Sequence, residues 1–469
     1  MEPTRDEGGR PLPAALAAAW RTDQAKLTEF VQSHGALRQR GAAWYAAMGR
    51  TVGGSEISAL MGLNPYSNFG EVVSSKLAVL TGESSWVGGE ACWWGTLFED
   101  VIAAYVADDL GDAVRGDDIC VQAVPGHRNS PDGYLVARLY TDAGGAQRLW
   151  TTAMDPALAT RLVVLLLEFK CPLGRKPSGA VPRQYAPQVW SGLAVSPVAG
   201  LGLFVDAVFR KCSLSDLGDT PDYDEVYHRG GRGAWHLPVA WGLIAVYAPY
   251  LDAPRSRRLG WQGAEWATGD PDPDAPDADA AQAAWCIHAE YFGLRPEPRT
   301  GTRAAAAAPP SLVDLGDMEP RPFGRVLGLI DRKRFPVVRH PACFADGRGA
   351  PLHTAGGVGA ALTALRRDAP PDHWLLGVLP WKAFEVDYVP LAPRRGFLEE
   401  VRPHIDLVHA TVASVLAEAE ATGEAPRTVL ARQLGRPTPE AGASAAVSVE
   451  NVQDLFDSIA VAPAPEPPP

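Results

Sequence analysis

Residues 162–167, Leu-Val-Val-Leu-Leu-Leu, form an unbroken aliphatic run that stops at Glu168, Phe169 and Lys170, two residues before Pro172. A short apolar run closed by a proline predicts a buried strand over 161–170. Side chains alternate on a strand, so Glu168 and Lys170 share one face and Phe169 points to the other. Other strand-like patterns fall at 119–124, 134–140, 200–212, 239–251, 325–340 and 373–391. Helical periodicity appears in the Ala-rich stretch 13–48, which predicts two or three helices, and again at 93–111, 182–195 and 396–424. In 53–62, Ser55 stands where it can cap a short helix after two glycines. Residues 1–12 are expected to fray. The Pro-, Asp- and Ala-rich stretches 263–283 and 297–311 are expected to be mobile loops, and the tail from about 436 is expected to be disordered around one acidic-apolar motif, "VQDLFDSIAV". Interleaved helices and strands imply an α/β or α+β fold, and no internal repeat is visible.

Composition narrows this picture only slightly. The 469 residues are 46% hydrophobic, enough for a large core. No apolar run approaches the roughly 20 residues of a membrane span, and the N-terminus lacks the basic-then-apolar order of a signal peptide. The six cysteines form no CxxC pair or zinc-like spacing, which suits reduced thiols inside a cell. The net charge of −12 argues against a polyanion partner only at first sight. Residues 259–294 hold seven carboxylates and no Lys or Arg, more than half of that excess. Basic clusters stand elsewhere, at Arg175-Lys176, Arg255/Arg257/Arg258, Arg332-Lys333-Arg334 and Arg394-Arg395.

The charges at the end of the apolar run carry the chemistry. Upstream, "SPDGYL" (130–135) places Asp132 in a turn before Gly133. An Asp in a turn followed by a strand-borne Glu-x-Lys supplies two hard oxygen donors for Mg²⁺ and a cation to stabilise a phosphodiester transition state. Taken alone, such a pattern recurs by chance, and a strand-end salt bridge would explain it. Here it stands among "GGSEISALMGLNPY" (53–66), "WWGTLFEDVIAAY" (93–105), "LLEFKCP" and "PRQYAPQVWSGL", in that order. The ordered set resembles the lambda-exonuclease/YqaJ branch of the PD-(D/E)xK nucleases, and within it the herpesvirus alkaline nuclease family, over roughly residues 44–212. The absence of a long N-terminal extension is similar to the gammaherpesvirus shutoff and exonuclease members.

That resemblance implies a restriction-endonuclease-like PD-(D/E)xK core of α/β class, a central mixed sheet flanked by helices, with a helical N-terminal region and C-terminal decorations. The implied divisions are 1–48 as the helical region, 49–258 as the nuclease core, 259–311 as a loop region, 312–430 as strands and helix completing the fold, and 431–469 as a tail. It also implies roles. Asp132, Glu168 and Glu99 match the metal-binding carboxylates, Lys170 matches the catalytic lysine, and the Phe169 carbonyl would be a further metal ligand. Arg50, Ser55, Ser130, Cys171, Trp94 and Gln188 match positions that contact substrate. Trp94 and Cys171 fit a core as well, Ser55 fits a cap, and Gln184 shares a helix face with Gln188. Between Asp132 and Glu168 lies a long insert, residues 137–161, which must loop out as a hairpin or excursion for the carboxylates to meet.

The implied activity is Mg²⁺-dependent, with Mn²⁺ as a substitute: a 5′→3′ exonuclease on linear duplex DNA, with endonuclease activity and RNA cleavage in host shutoff as extensions. The implied partner is a viral single-strand DNA-binding protein, the expected state a monomer without membrane attachment, and the expected location the host nucleus and cytoplasm. Two rivals are a primarily RNA-directed endonuclease and a catalytically dead nucleic-acid-binding scaffold working through "DLFDSI" in the tail.

Overall fold

The structure is a computed structural model, and it describes residues 14–37, 39, 42–83, 89–218, 240–249, 312–318, 323, 337–339, 355–368 and 373–435. In chain order the helices are α1 (Ala14–His34), α2 (Ala42–Met48), α3 (Ile57–Leu60), α4 (Phe69–Leu80), α5 (Glu90–Leu110), α6 (Ala186–Val195), α7 (Leu214–Gly218), α8 (Ala355–Arg367), α9 (Phe397–Thr422) and α10 (Pro426–Gln433). The strands are β1 (Val52–Gly53), β2 (His127–Arg128), β3 (Gly133–Thr141), β4 (Gln147–Leu149), β5 (Arg161–Lys170), β6 (Leu201–Lys211), β7 (Ala240–Pro249), β8 (Val313–Asp314), β9 (Val337–Arg339) and β10 (His373–Leu391).

The fold is mixed α/β, a central sheet with helices on both faces. Its strand order is β4-β3-β5-β6-β10-β7-β9, with β8 paired to β10. Among the described residues of this sheet, β5–β6 and β8–β10 are the parallel pairs. A parallel pair needs a crossover, and α6 supplies it between β5 and β6. That central position explains the continuous aliphatic run in β5, because both faces of the strand are covered. On one face, Leu165, Leu167 and Phe169 of β5 pack with Leu203, Val205 and Phe209 of β6 against Trp94, Phe98 and Val101 of α5. On the other, Val164, Leu166 and Phe204 meet Trp20 and Leu27 of α1 and Val189 and Leu193 of α6. A further layer packs α9 against α3 and α4 through Val401, Ile405, Val408, Ile57 and Val73.

Several expectations change in detail. Residues 119–124 form no strand, and Val121 makes only an isolated bridge to Asn129. Ser55 does not cap a helix. Gly53 stands at the N-cap of a 3₁₀ turn over 54–56, and Glu56 Oε2 accepts the Gly53 amide at 2.6 Å. The insert after Asp132 is the outer part of β3 turned back as β4, while β3 itself pairs directly with β5 from Gly133–Leu167 to Leu139–Arg161. Within the stretch expected to complete the fold, β10 is an interior strand that runs between β6 and β7 for nineteen residues. Residues 1–12, the stretches 263–283 and 297–311, the tail from 436, and the clusters at 255–258 and 332–334 lie outside the described residues.

Candidate nuclease centre

The register of β3 on β5 builds the site. Gly133 pairs with Leu167, so Asp132 leaves the start of β3 beside the end of β5. Gly133 has φ +146°, and a methyl group there would lie 2.3 Å from Val114 Cγ1, so this turn requires glycine. The Asp132 carboxylate accepts the Phe169 amide at 2.6 Å through Oδ2, and the Asp132 amide donates to the Leu167 carbonyl at 3.2 Å. The aspartate is thereby fixed to the backbone of the strand that carries Glu168 and Lys170.

Glu168 is buried at 1% exposure, and Lys170 donates to its Oε1. Burial pushes the Glu168 carboxyl above its ordinary range against the pull of Lys170, and the Asp132 and Glu99 charges push it further the same way. Burial opposes the Lys170 charge too, but the Glu168 and Asp132 carboxylates outweigh it and hold the ammonium above its usual value. The Lys170 ammonium also lies 5.2 Å from the centre of the Tyr185 ring. The Asp132 and Glu99 charges thus both act on Glu168, beside a lysine held protonated. Glu99, half-buried on α5, reaches this point through its charge.

Among the described residues, no group of three or more His, Cys, Asp or Glu is gathered closely enough to hold a metal ion. The donors that do converge are nevertheless all carboxylate oxygens whose mutual repulsion a cation would relieve. That chemistry fits a hard divalent ion, which Asp132 and Glu168 would hold.

The expected substrate contacts divide. Arg50 and Ser55 are exposed near the Gly53–Gly54 turn, and Ser130 is half-buried, its hydroxyl accepting the Trp44 indole N–H at 3.3 Å. Gln188 is half-buried on α6, the helix that covers the Glu168 face of the sheet. Trp94 is corrected: at 2% exposure it packs on Phe98 and Phe323, with no face left for a base. Cys171 is corrected too. Its side chain joins the Phe169 face, buried among Trp94 and Phe209, where burial pushes the thiol up to about 12, so it stays a neutral S–H that faces away from the Glu168 side.

The structure adds residues that sequence reasoning did not single out. Asp206 of β6 pairs with Lys170 in register, is 1% exposed, and takes a two-pronged contact from Arg175, of which Nη2–Oδ1 is 2.8 Å. The Arg175 guanidinium shares the Tyr185 ring with Lys170, 5.9 Å from its centre. A charged residue inside the apolar run of β6 was the available signal. Lys76, also 1% exposed, donates to both Glu56 oxygens and steadies the Gly53 turn.

Two curated proteins of African swine fever virus, from the Badajoz strain and from a South African tick isolate, are each 35% identical to this chain over 217 residues. Those residues are 45% of this chain and 60% of each relative, so the match spans about three fifths of the relatives' length. A crystal structure of an alkaline exonuclease from Laribacter hongkongensis is 18% identical, with 36% of this chain and 74% of that chain covered at a TM-score of 0.24. The same enzyme in complex with dAMP gives 18% identity, 35% and 73% coverage and a TM-score of 0.24. Residues 43–199, which carry Glu99, Asp132, Glu168 and Lys170, match the family model of the YqaJ-like viral recombinase domain.

Proposed function

We propose that the protein is a divalent-metal-dependent nuclease that hydrolyses phosphodiesters at the end of β5, as a 5′→3′ exonuclease on linear duplex DNA in the processing of viral DNA. The observation that carries the reading is the convergence of Asp132, buried Glu168 and protonated Lys170 where β3 begins and β5 ends. The match of the surrounding segment to a YqaJ-like viral recombinase domain supports it.

Each residue has a task. Asp132 and Glu168 hold Mg²⁺, or Mn²⁺ in its place, with Glu99 adding negative charge. When bound there, such an ion would supply Lewis-acid polarisation of the phosphate and neutralise developing charge. Lys170, kept protonated by two carboxylates, orients the attacking water and balances the equatorial oxygens as the bond breaks. Arg50, Ser55, Ser130 and Gln188 contact the strand being degraded. The finer kinship with herpesvirus alkaline nucleases belongs to this proposal, as do endonuclease activity, RNA cleavage in host shutoff, a viral single-strand DNA-binding partner, a monomeric state, and work in the host nucleus and cytoplasm.

The test is degradation of a 5′-phosphorylated linear duplex in Mg²⁺ by the wild-type protein and by Glu168→Gln. Loss of about 10²–10⁴-fold in rate, with folding and DNA binding retained, is the expected result. Cleavage of unpaired RNA with the duplex left intact would instead favour the RNA-directed endonuclease. Inactivity on every substrate in Mg²⁺ and Mn²⁺, from neutral to alkaline pH, would leave only the binding scaffold.

A further inference from the structure

Among the described residues, three buried or half-buried cations near the centre are paired with carboxylates. Lys76 has Glu56 at 2.5 Å, Lys170 has Glu168, and Arg175 has Asp206. Arg128 of β2 is 7% exposed, and among the described residues its guanidinium meets no carboxylate and no hydrogen-bond acceptor. Its Nε is sealed from solvent with nothing to donate to.

The surroundings of Arg128 are shaped around it. Trp44 covers one side, with the guanidinium carbon 5.1 Å from the ring centre, and the Trp44 indole is fixed by its bond to Ser130, two residues before Asp132. Gly53 closes another side, where a methyl group would lie 3.2 Å from Arg128 Nη2. Lys76 and His127 feel Arg128 as a further positive charge. The nearby Glu56 carboxylate is already taken at both oxygens by Lys76 and at one by the Gly53 amide. A guanidinium whose Nε is removed from water with nothing to donate to is unfavourable, and the group that satisfies it best is a multi-oxygen anion.

We propose that Arg128 anchors a phosphate of the nucleic-acid substrate between Trp44 and the Gly53 turn, four residues from Asp132. The inference rests on the nuclease reading and adds to it a buried binding residue distinct from the exposed Arg50 and Ser55. A 5′-terminal phosphate and a backbone phosphate offer the same oxygens, so the experiment separates them.

Binding is measured without divalent metal by fluorescence anisotropy, using duplexes with a 5′-phosphate or a 5′-hydroxyl, for wild type, Arg128→Met and Arg128→Lys. Loss of charged hydrogen bonds predicts about 10- to 100-fold weaker binding for Arg128→Met, with Arg128→Lys between it and wild type. Loss confined to the phosphorylated duplex places the terminal phosphate at Arg128, and equal loss on both places a backbone phosphate there. Wild-type affinity in Arg128→Met on both duplexes overturns the proposal. If wild type still degrades the duplex in Mg²⁺, that result leaves the nuclease reading standing. Wild type that neither binds nor cleaves either duplex overturns both. If Arg128→Met does not fold, melting in inorganic phosphate against chloride at matched ionic strength decides. A rise in Tm that is larger for wild type than for Arg128→Lys supports the anchor, and equal shifts overturn it.

Discussion

Acid is expected to destabilise this protein through His127, the residue before Arg128. The imidazole is 1% exposed and bonded on both sides. Nδ1–H donates to the Val52 carbonyl at 2.9 Å, which fixes the tautomer and leaves Nε2 to accept from the Ser191 hydroxyl at 2.8 Å. Protonation would turn Nε2 into a donor and bury a charge. Burial lowers the pKa from 6.5 to about 4, against the Val52 bond and Glu56 and with the help of Arg128 and Arg402. The unfolded chain therefore binds the proton at a higher pH than the folded one. The stabilisation is complete above pH 6.5 and is lost as pH falls from 6.5 towards 4. These values correspond to a loss of about 2 kcal/mol at pH 5 and about 3 kcal/mol in full.

The assay is urea denaturation at pH 7.5 and 5.0 for wild type and His127→Gln, read as the difference of differences. Replacing His127 costs stability at both pH values, but this offset cancels. Glu168 acts in the opposite sense, because its raised pKa favours the folded state at low pH and that benefit disappears as pH rises through the folded value. Present in both proteins, it cancels as well. Wild type should lose about 2 kcal/mol more than the variant on acidification. Parallel losses, with unchanged denaturant slopes, would refute a buried neutral His127.

Three further outcomes follow from packing and charge. Arg175→Met leaves the Asp206 carboxylate buried without its partner and should cost about 3 kcal/mol in denaturant titration, part of which Asp206→Asn restores in the double variant. Gly54→Ala should cost about 2 kcal/mol in thermal melts, since the added methyl would lie 1.9 Å from Asn129 Oδ1 and 3.2 Å from Ser191 Oγ; Gly95→Ala, mid-helix in α5 with nothing within 4 Å, should stabilise by about 0.5–1 kcal/mol.

What the sequence made legible was whatever a local period or a short spacing encodes. The run into Glu168 and Lys170 is a buried strand because six aliphatic residues fit no solvent-facing element, and alternation alone put both charges on one face. The same alternation places Cys171 with Phe169 on the opposite face, so its burial was available from the pattern even though its neighbours in the motif suggested a phosphate contact. Trp94 was undecidable in that way, because helical periodicity gives a stripe but not what covers it, and Phe98 and Phe323 do. The apolar residues at 119–124 fail as a strand for a related reason. Ile119 and Val121 are buried by docking onto the α1 side of the core rather than by a ladder.

Arg128 and Asp206 take their meaning from residues far along the chain. Asp206 is a liability inside β6 until Arg175, 31 residues earlier, answers it. Arg128 reads as an ordinary basic residue until Trp44 and Gly53 are folded over it and no carboxylate arrives. In the first case the fold supplies the missing charge. In the second it leaves the charge unmet in a shaped space four residues from the proposed catalytic aspartate, where a substrate phosphate would supply it. Asp206 shows in sequence only as a charge inside an apolar run and Arg128 not even as that, and what separates a structural ion pair from a binding residue is whether the protein itself contains the counter-charge.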